Sequence, residues 1–499
     1  MFDFLKSTAE RVANAVVGRG RMTDEQCIVT EINRFLASRK RIDMLTGERY
    51  FEGRHDILSR MRTMIGEDGN LEEVKNLPNN RIVDNQYKKM VVQKTNYLLG
   101  QPISVKCENE QYAKVLKQAL FNKKFQRLIK HIGEDALNCG IGWLFVHYDE
   151  KGNIAFKRLK PFEIIPLWKD AEHTELEGAI RLYEVIAYEG TQEKVLRKVE
   201  VYDGKGITFF ELSDGGSLKP CEPYQQSYFT VTDGEGVETG YNWERIPLVP
   251  FKYNDKEIPL VRMVKNLQDG LNIILSNFQN NMEEDVRNTI LILKNYDGQK
   301  LGEFRKNLAA FGAIKVRTVD GADGGVDKLT IEVNSENYKA IIENFKKAII
   351  ENAMGYDAKD DRIGGNANTM NIRSMYSDID LDANDMETEY QAAFVQLLEL
   401  VNAYLQSTGN KDYSSTHVTI TFNRDMIFND TEIINNLASL GVKVSNETLI
   451  GQLPFVDDVQ KELERIKDEQ AENMELYGGA FDMKQMQGMN DKQDDNQEE

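Results

Sequence analysis

The chain has 499 residues and 57.2 kDa, which at about 150 residues per domain suggests about three domains. Hydrophobic residues at 41% and aromatics at 9% are enough to build cores, which excludes wholesale disorder. Against 62 basic residues stand 81 acidic ones, a net charge of −19. That balance excludes a protein whose main work is gripping DNA or RNA, because such binding draws its affinity from surplus Lys and Arg. An acidic chain can still handle nucleic acid if it must avoid sticking to it.

The four cysteines, Cys27, Cys107, Cys139 and Cys221, fit neither CxxC metal spacing nor a secreted disulfide framework, so a reducing compartment is expected. The start, MFDFLKSTAERVANAVV, lacks the basic opening and apolar core of a secretory signal. No stretch approaches the roughly 18 uninterrupted apolar residues of a membrane span. A soluble protein with no membrane role is the expectation.

In chain order, residues 1–18 predict a weakly amphipathic helix, with Leu5, Ala9, Val12 and Val16 at helical spacing. Thr23 opens a second helix, with Gln26 placed to close a capping box. The pattern stays mostly helical to about residue 138. Asn85 to Leu99 stands out, because Met90, Val91, Lys94, Tyr97 and Leu98 share a broad face. It should stop at Gly100-Gln101-Pro102 through a left-handed glycine cap.

After Gly140 the period changes from about 3.6 to 2. Trp143–Tyr148 and Ile154–Arg158 predict a hairpin around Gly152, and strands follow at 179–187, 195–202, 207–211 and 228–231. This sheet region closes with Ile246-Pro247-Leu248-Val249-Pro250-Phe251.

Residues 261–286 predict one long helix with an apolar stripe of Val264, Leu267, Leu271, Ile274, Phe278 and Met282. A compact insert follows, with strands at 290–293, 313–319 and 328–333 and a short helix at 302–311. A second helix, 336–354, returns with Tyr338, Ile341, Ile342, Phe345 and Ile349 on its apolar side, so two helices flank a small α/β tip. Gly355, Gly364 and Gly365 make 355–369 a loop. Beyond it a helix of about 35 residues, 370–405, is polar in its first half and apolar in its second, as if only the second were packed. A strand at 417–422, helices at 431–440, 445–452 and 457–477, and a low-complexity tail 478–499 complete the chain. The end from residue 457 onward alone holds −9 of the net charge.

Chemistry-bearing patterns are weak. Asp378, Asp380, Asp382, Asn384 and Glu389 approach the spacing of a calcium loop, but Ala383 stands where the sharp turn needs Gly. On a helix these carboxylates would fan around the surface, so a solvated acidic face is the better reading. His131, Glu134 and Asp135 share a helix face without a second ligand cluster, and a packed helix histidine is expected. Gly364-Gly365-Asn366-Ala367-Asn368-Thr369 precedes a helix but lacks the Lys of a phosphate-binding loop. No enzyme and no cofactor are predicted. Lys346 and Lys347 are two adjacent bases on the second long helix. In a monomer they are an ordinary solvated face; in a ring they would repeat around an axis.

The segment 80–103, NRIVDNQYKKMVVQKTNYLLGQPI, resembles the signature of portal proteins of tailed double-stranded-DNA bacteriophages. Further likeness follows in order: Arg49-Tyr50-Phe51-Glu52-Gly53, Gly140-Ile141-Gly142-Trp143, Pro161-Phe162-Glu163-Ile164-Ile165-Pro166, the 246–251 segment, and Val444-Ser445 with Glu447-Thr448 and Pro454, Val456 and Asp458 near the end. This is the pattern of the subfamily found in siphophages of Gram-positive hosts.

The resemblance implies an α+β, multi-domain architecture of wing, stem, clip and crown, with long stem helices, closing into a ring around a central channel. It implies a wing at 1–260, stem helices at 261–287 and 335–354, a clip at 288–334, a tunnel loop at 355–369, a long kinked helix returning to the wing over 370–430, a crown at 431–477 and an acidic tail at 478–499. It further implies a ring, usually of twelve copies, at one virion capsid vertex, made in the host cytoplasm, through which double-stranded DNA is packaged and ejected. The terminase large subunit would dock on the clip, through residues such as Lys300, Glu303, Arg305 and Lys306, and a head-completion or adaptor protein would dock later. Scaffolding and major capsid proteins are the other partners. Lys346, Lys347, Asp360, Asp361, Arg362, Gly364, Gly365 and Asn366 would face the DNA. The rival readings are a non-enzymatic helical scaffold protein, which leaves the α/β tip unexplained, and a nuclease, whose clustered metal carboxylates are missing.

Overall fold

The computed structural model describes residues 23–65, 69–74, 77–232, 238–243, 245–285, 290–294, 325–329, 335–357, 369–408 and 411–424, together with 462–470 and a few isolated positions after 444. The chain divides into two compact units, residues 1–356 with 378–425, and residues 357–377 with 426–499.

The first unit opens with helices α1 (Asp24–Leu36) and α2 (Arg39–Phe51). The expected capping box is present, Thr23 Oγ1 accepting from Gln26 N–H while Gln26 Oε1 accepts from Thr23 N–H. A short ladder, β1 (Thr63–Ile65) with β2 (Leu71–Glu73), precedes α3 (Gln86–Leu99). Helix α3 ends differently from expectation. Gly100 keeps a right-handed φ of −74°, so the chain leaves the helix without a left-handed cap.

Strand β3 (Ser104–Cys107) and helices α4 (Glu110–Ala119) and α5 (Lys123–Cys139) follow. Gly140, at φ +84°, supplies the left-handed cap of α5, and a Cβ there would stand 2.0 Å from the Glu257 carbonyl oxygen. Strands β4 (Ile141–Tyr148) and β5 (Ile154–Leu159) form the predicted hairpin. They are followed by β6 (Ile164–Trp168), β7 (Leu176–Glu189), β8 (Gln192–Asp203), β9 (Gly206–Leu212), β10 (Leu218–Gln226), β11 (Phe229–Thr232), β12 (Glu238–Tyr241) and β13 (Leu248–Lys252).

Strands β6 to β10 make one antiparallel sheet in the order β10-β9-β8-β7-β6, and β13-β4-β5 make another. Strand β10 carries no strand signal of its own, because Pro220 and Pro223 cannot donate to a ladder; an edge position is where a sheet tolerates them. Ile28 and Ile32 of α1 bury against Ile165, Ile180, Val199, Val201 and Phe210 of the larger sheet.

Helix α6 (Val261–Asp285), strands β14 (Ile290–Lys294) and β15 (Gly325–Leu329), and helix α7 (Ser335–Asn352) come next. The antiparallel β14–β15 pair runs from Ile290↔Leu329 to Lys294↔Gly325, so the last insert strand starts earlier than the expected 328. Helix α8 (Thr369–Ser407) and β16 (Val418–Thr421), which pairs with β3, complete the first unit's framework.

Phe394 of α8 is the hub of a second core, its ring within 5.6–6.2 Å of those of Phe121, Phe125, Phe251 and Phe422. The first half of α8 is packed as well: Ile379, Ala383 and Met386 are buried. The polar appearance of that half comes from carboxylates that find cations inside the fold.

Of the second unit, the described residues comprise the opening turns of α8 and a helical run at 462–470. The helices expected at 1–18, 302–311 and 431–440, the strand at 313–319, most of those at 445–452 and 457–477, and the 478–499 tail lie outside the described residues.

Candidate functional site: the seat of the long helix

Helix α6 carries a second periodicity beside its apolar stripe. Gln268, Asn272, Ser276 and Asn280 recur every four residues and so stand above one another on one face. All four are buried, at 0, 0, 0 and 4% exposure, whereas Met282 of the predicted stripe is 45% exposed. The stripe is therefore corrected. Val264 and Leu271 do bury, but the most enclosed row of the helix is polar.

Buried amides and hydroxyls need partners, and these find them in a strap, residues 80–85, and the first turn of α3 that follows it, running antiparallel to the helix. Asn280 Oδ1 accepts from Asn80 N–H at 2.8 Å, Ser276 Oγ from Ile82 N–H at 2.9 Å, Asn272 Oδ1 from Asp84 N–H at 3.1 Å and Gln268 Oε1 from Tyr87 N–H at 2.9 Å. For the first three the two repeats match, and the fourth amide belongs to the first turn of α3. Two residues of extended chain advance about 6.6 Å and four residues of helix about 6 Å.

The strap also starts α3. Its first amides are all taken: Gln86 N–H by the Asp84 carbonyl, Tyr87 N–H by Gln268 and Lys88 N–H by Asn85 Oδ1. The Asn-Arg-Ile-Val-Asp-Asn text is thus a rail that fits one face of α6.

A second grip comes from the Arg49–Gly53 segment. Tyr50 donates its hydroxyl to Asp269 at 2.5 Å, and Lys265 bridges Asp56 and Asp269 at 2.6 Å each. Arg49 adds a 2.6 Å ion pair to Asp56. Burial pushes the Asp56 carboxyl up, but hydrogen bonds from Lys265 and Arg49 outweigh it and bring it to about 2. His55 stacks on Tyr50 with centroids 4.4 Å apart. Burial lowers its pKa, which suits a neutral ring whose Nε2–H donates to the Tyr50 carbonyl while Nδ1 accepts from Asn272 Nδ2.

From α7, Lys346 reaches the strap's Asp84 at 2.8 Å. Gly270 of α6 lies so close to α7 that a Cβ would stand 2.7 Å from Phe345 Cε1. Helices α6 and α7, the strap and α3 are therefore one assembly.

Of the residues singled out from sequence, Lys346 is engaged with Asp84, while Lys347 is 74% exposed with Glu351 at 3.9 Å. Asp360, Asp361, Arg362, Gly364, Gly365 and Asn366 lie outside the described residues, as do Lys300, Glu303, Arg305 and Lys306. His131 Nδ1 meets Glu134 at 3.1 Å, but Asp135 turns inward to a buried bidentate pair with Arg158.

The solvated acidic face is corrected at Asp380 and Asp382, while Asp378 and Asn384 are exposed as expected. Asp382 is 9% exposed, with Lys94 Nζ at 2.6 Å and the Tyr253 hydroxyl at 2.6 Å. Asp380 receives Tyr97 at 2.5 Å and Arg424 at 2.6 Å. Among the described residues no group of three or more His, Cys, Asp or Glu could hold a metal ion. None of the helices among them is long and apolar enough to cross a membrane. The ladder on α6 escaped the sequence reading; its signal was an uncharged polar run at strict four-residue spacing inside a long helix.

A family model, phage portal protein of the SPP1 Gp6-like kind, matches residues 32–476. The chain belongs to that family. It is 28% identical over 451 residues to the portal protein of Bacillus phage SPP1, covering 88% of this chain and 86% of that protein. It is 28% identical over 439 residues to the portal protein of Clostridium phage phiCD119, covering 85% of this chain and 91% of that one. Both motifs that grip α6 lie inside the matched span, and the family is a structural one, not a class of enzymes. The helical-scaffold alternative falls with this match.

Proposed function

We propose that copies of this portal-family chain close into a ring, twelve by resemblance, at one vertex of the phage head, and that the ring is the channel for packaging and ejecting double-stranded DNA. The seat of α6 carries this reading, because it holds a long helix beside α7 while leaving apolar groups uncovered. Met263, Ile273, Met282 and Ile341 are each 41–45% exposed, a surface for a neighbouring copy to cover.

In this reading 261–287 and 335–354 are the stem, and 288–334 is the clip that receives the terminase large subunit and later a head-completion protein. Residues 1–260 with 370–430 form the wing, 431–477 the crown, and 355–369 the DNA-facing loop. A wall of copies each carrying −19 repels the DNA backbone and lets it pass. Of the two stem lysines, Lys347 is the freer to touch phosphate, since Lys346 is held by Asp84.

The test is the solution mass of the purified protein, followed by packaging in vitro. A species near twelve times 57.2 kDa is expected. A monomer that persists even with scaffolding protein present would overturn the ring.

A further inference from the structure

Among the described residues the two larger sheets have four edges, and three of them carry proline: Pro220 and Pro223 in β10, Pro166 in β6 and Pro250 in β13. Proline on an edge strand keeps it from pairing with another chain. The fourth edge, β5, reads Ile-Ala-Phe-Lys-Arg-Leu and has none.

The outer side of β5 is open. Val146 of β4 donates its N–H to the Pro247 carbonyl at 2.8 Å, so its backbone faces the β13 side. Phe156, directly opposite Val146, is therefore not hydrogen-bonded across the pair, and its own N–H and carbonyl point away from β4. Ile154, two residues back, points the same way. Among the described residues no other backbone group takes these two amides and two carbonyls.

A groove of about 500 Å³ lies against this part of the edge. Ile154 and Phe156 line it together with Val115 of α4, Phe125 and Leu128 of α5, and Leu405 of α8. A strand added beside β5 would stand about 4.8 Å from it, with every second side chain on the face of Ile154 and Phe156. Those side chains would meet an apolar lining.

The charge beside the groove is opposite to that of the chain. Between Glu110 and Glu134 there are six bases and no acid, in a chain whose net charge is −19. Lys114, Lys117, Lys123, Lys124 and Arg127 are exposed on α4 and α5, and Lys124 itself lines the groove. Asp149 lines it too, but its carboxylate accepts from the Lys151 and Asn153 amides of the β4–β5 turn. This local reversal of charge selects an acidic occupant.

We infer that the β5 edge is a docking site for an extended acidic segment of a partner protein, which adds to the sheet as a strand with apolar and acidic residues in alternation. Nucleic acid would answer the bases but has no amide ladder to offer the open N–H and carbonyl groups. The inference does not rest on the ring.

The probe is a fluorescent peptide of four Glu-Val repeats, titrated with the full-length protein and followed by anisotropy. Two further versions carry N-methyl groups on all valines or on all glutamates. Only one edge of an added strand faces β5, so one version should lose binding and the other keep it. Ile154→Pro removes an outward N–H and leaves the β4 ladder alone. Lys123→Glu with Lys124→Glu reverses the charge in the first turn of α5, where acidic residues suit the helix end. Each variant should weaken binding by about tenfold or more.

No binding of the unmodified peptide would overturn the inference. Binding that survives both N-methylated sets would be charge attraction alone and would overturn it as well. A labelled single-stranded DNA that binds through Lys123 and Lys124 where the peptide does not would make this a nucleic-acid surface instead. Peptide bound by dispersed copies but not by the assembled protein would give the edge to a neighbouring copy and overturn the partner.

Discussion

Replacing Gln268 with methionine keeps volume and helix propensity close to the original but deletes the acceptor for Tyr87 N–H and the donor to the Asp84 carbonyl and to Asn272 Oδ1. The consequences are unequal. Tyr87 is fully buried, so its amide is left as an orphan donor, worth about 1–3 kcal/mol. The Asp84 carbonyl still accepts from Gln86 N–H and Asn272 Oδ1 from Asp84 N–H, so each of these losses is closer to an ordinary hydrogen bond, about 1 kcal/mol. Together these give about 3–5 kcal/mol. For a unit of roughly 400 residues unfolding with about 2.1 cal/mol/K per residue, that lowers the melting temperature by about 4–6 °C. Differential scanning of the assembled protein at one concentration and scan rate measures it, with Asn266→Ala, an exposed residue on the same helix, as the control expected within about 0.5 kcal/mol. A Gln268→Met melt within 1 °C of the control would refute the argument that the ladder holds the strap.

Arg158→Leu should destabilise by about 3–5 kcal/mol, since it strands the buried Asp135 carboxylate; adding Asp135→Leu should recover most of the loss in urea titration. Gly47→Ala gains about 1 kcal/mol of helix propensity yet should lower stability, because its Cβ would stand 1.9 Å from the Asn138 carbonyl oxygen where α2 crosses α5. Asp56, at about 2 in the folded chain against an ordinary 3.8, contributes stability that is present above about pH 4 and lost as pH falls toward 2. Asp56→Asn should flatten that part of the acid-unfolding curve. Lys347→Glu should reduce packaging in vitro without changing ring mass, and packaging at the normal level would remove this residue from the DNA path.

What the sequence made legible is what local chemistry determines. The capping box at Thr23, the hairpin around Gly152 and the extents of α3, α6 and α7 follow from caps, turns and apolar spacing, and the structure has them within a few residues. What stayed hidden depends on partners far away in the chain. Asp380 and Asp382 read as solvated because nothing nearby in sequence neutralises them; Arg424 and Lys94 do so from 44 and 288 residues away. Lys94 on an apolar face was the visible half of that pair. Strand β10 was masked by its prolines, which only its place at the sheet edge makes tolerable.

The α6 ladder shows why a polar row can be the most buried face of a helix. Apolar packing is non-directional, so it holds a helix against its neighbours without fixing its position along its own axis. Hydrogen bonds lose most of their strength outside a narrow range of distance and angle. Because three acceptors on α6 meet strap amides at matched repeats and a fourth meets an amide of the first turn of α3, a slide of one residue, about 1.5 Å, together with the roughly 100° turn that re-faces the helix, would break all four together. The Tyr50–Asp269 bond and the Lys265 bridges sit on the next face of the same helix and fail with them. The seat therefore sets axial register, which tight apolar contact alone would leave free. Register is what a long helix needs if, as proposed, a motor docks at its far end and DNA passes beside it.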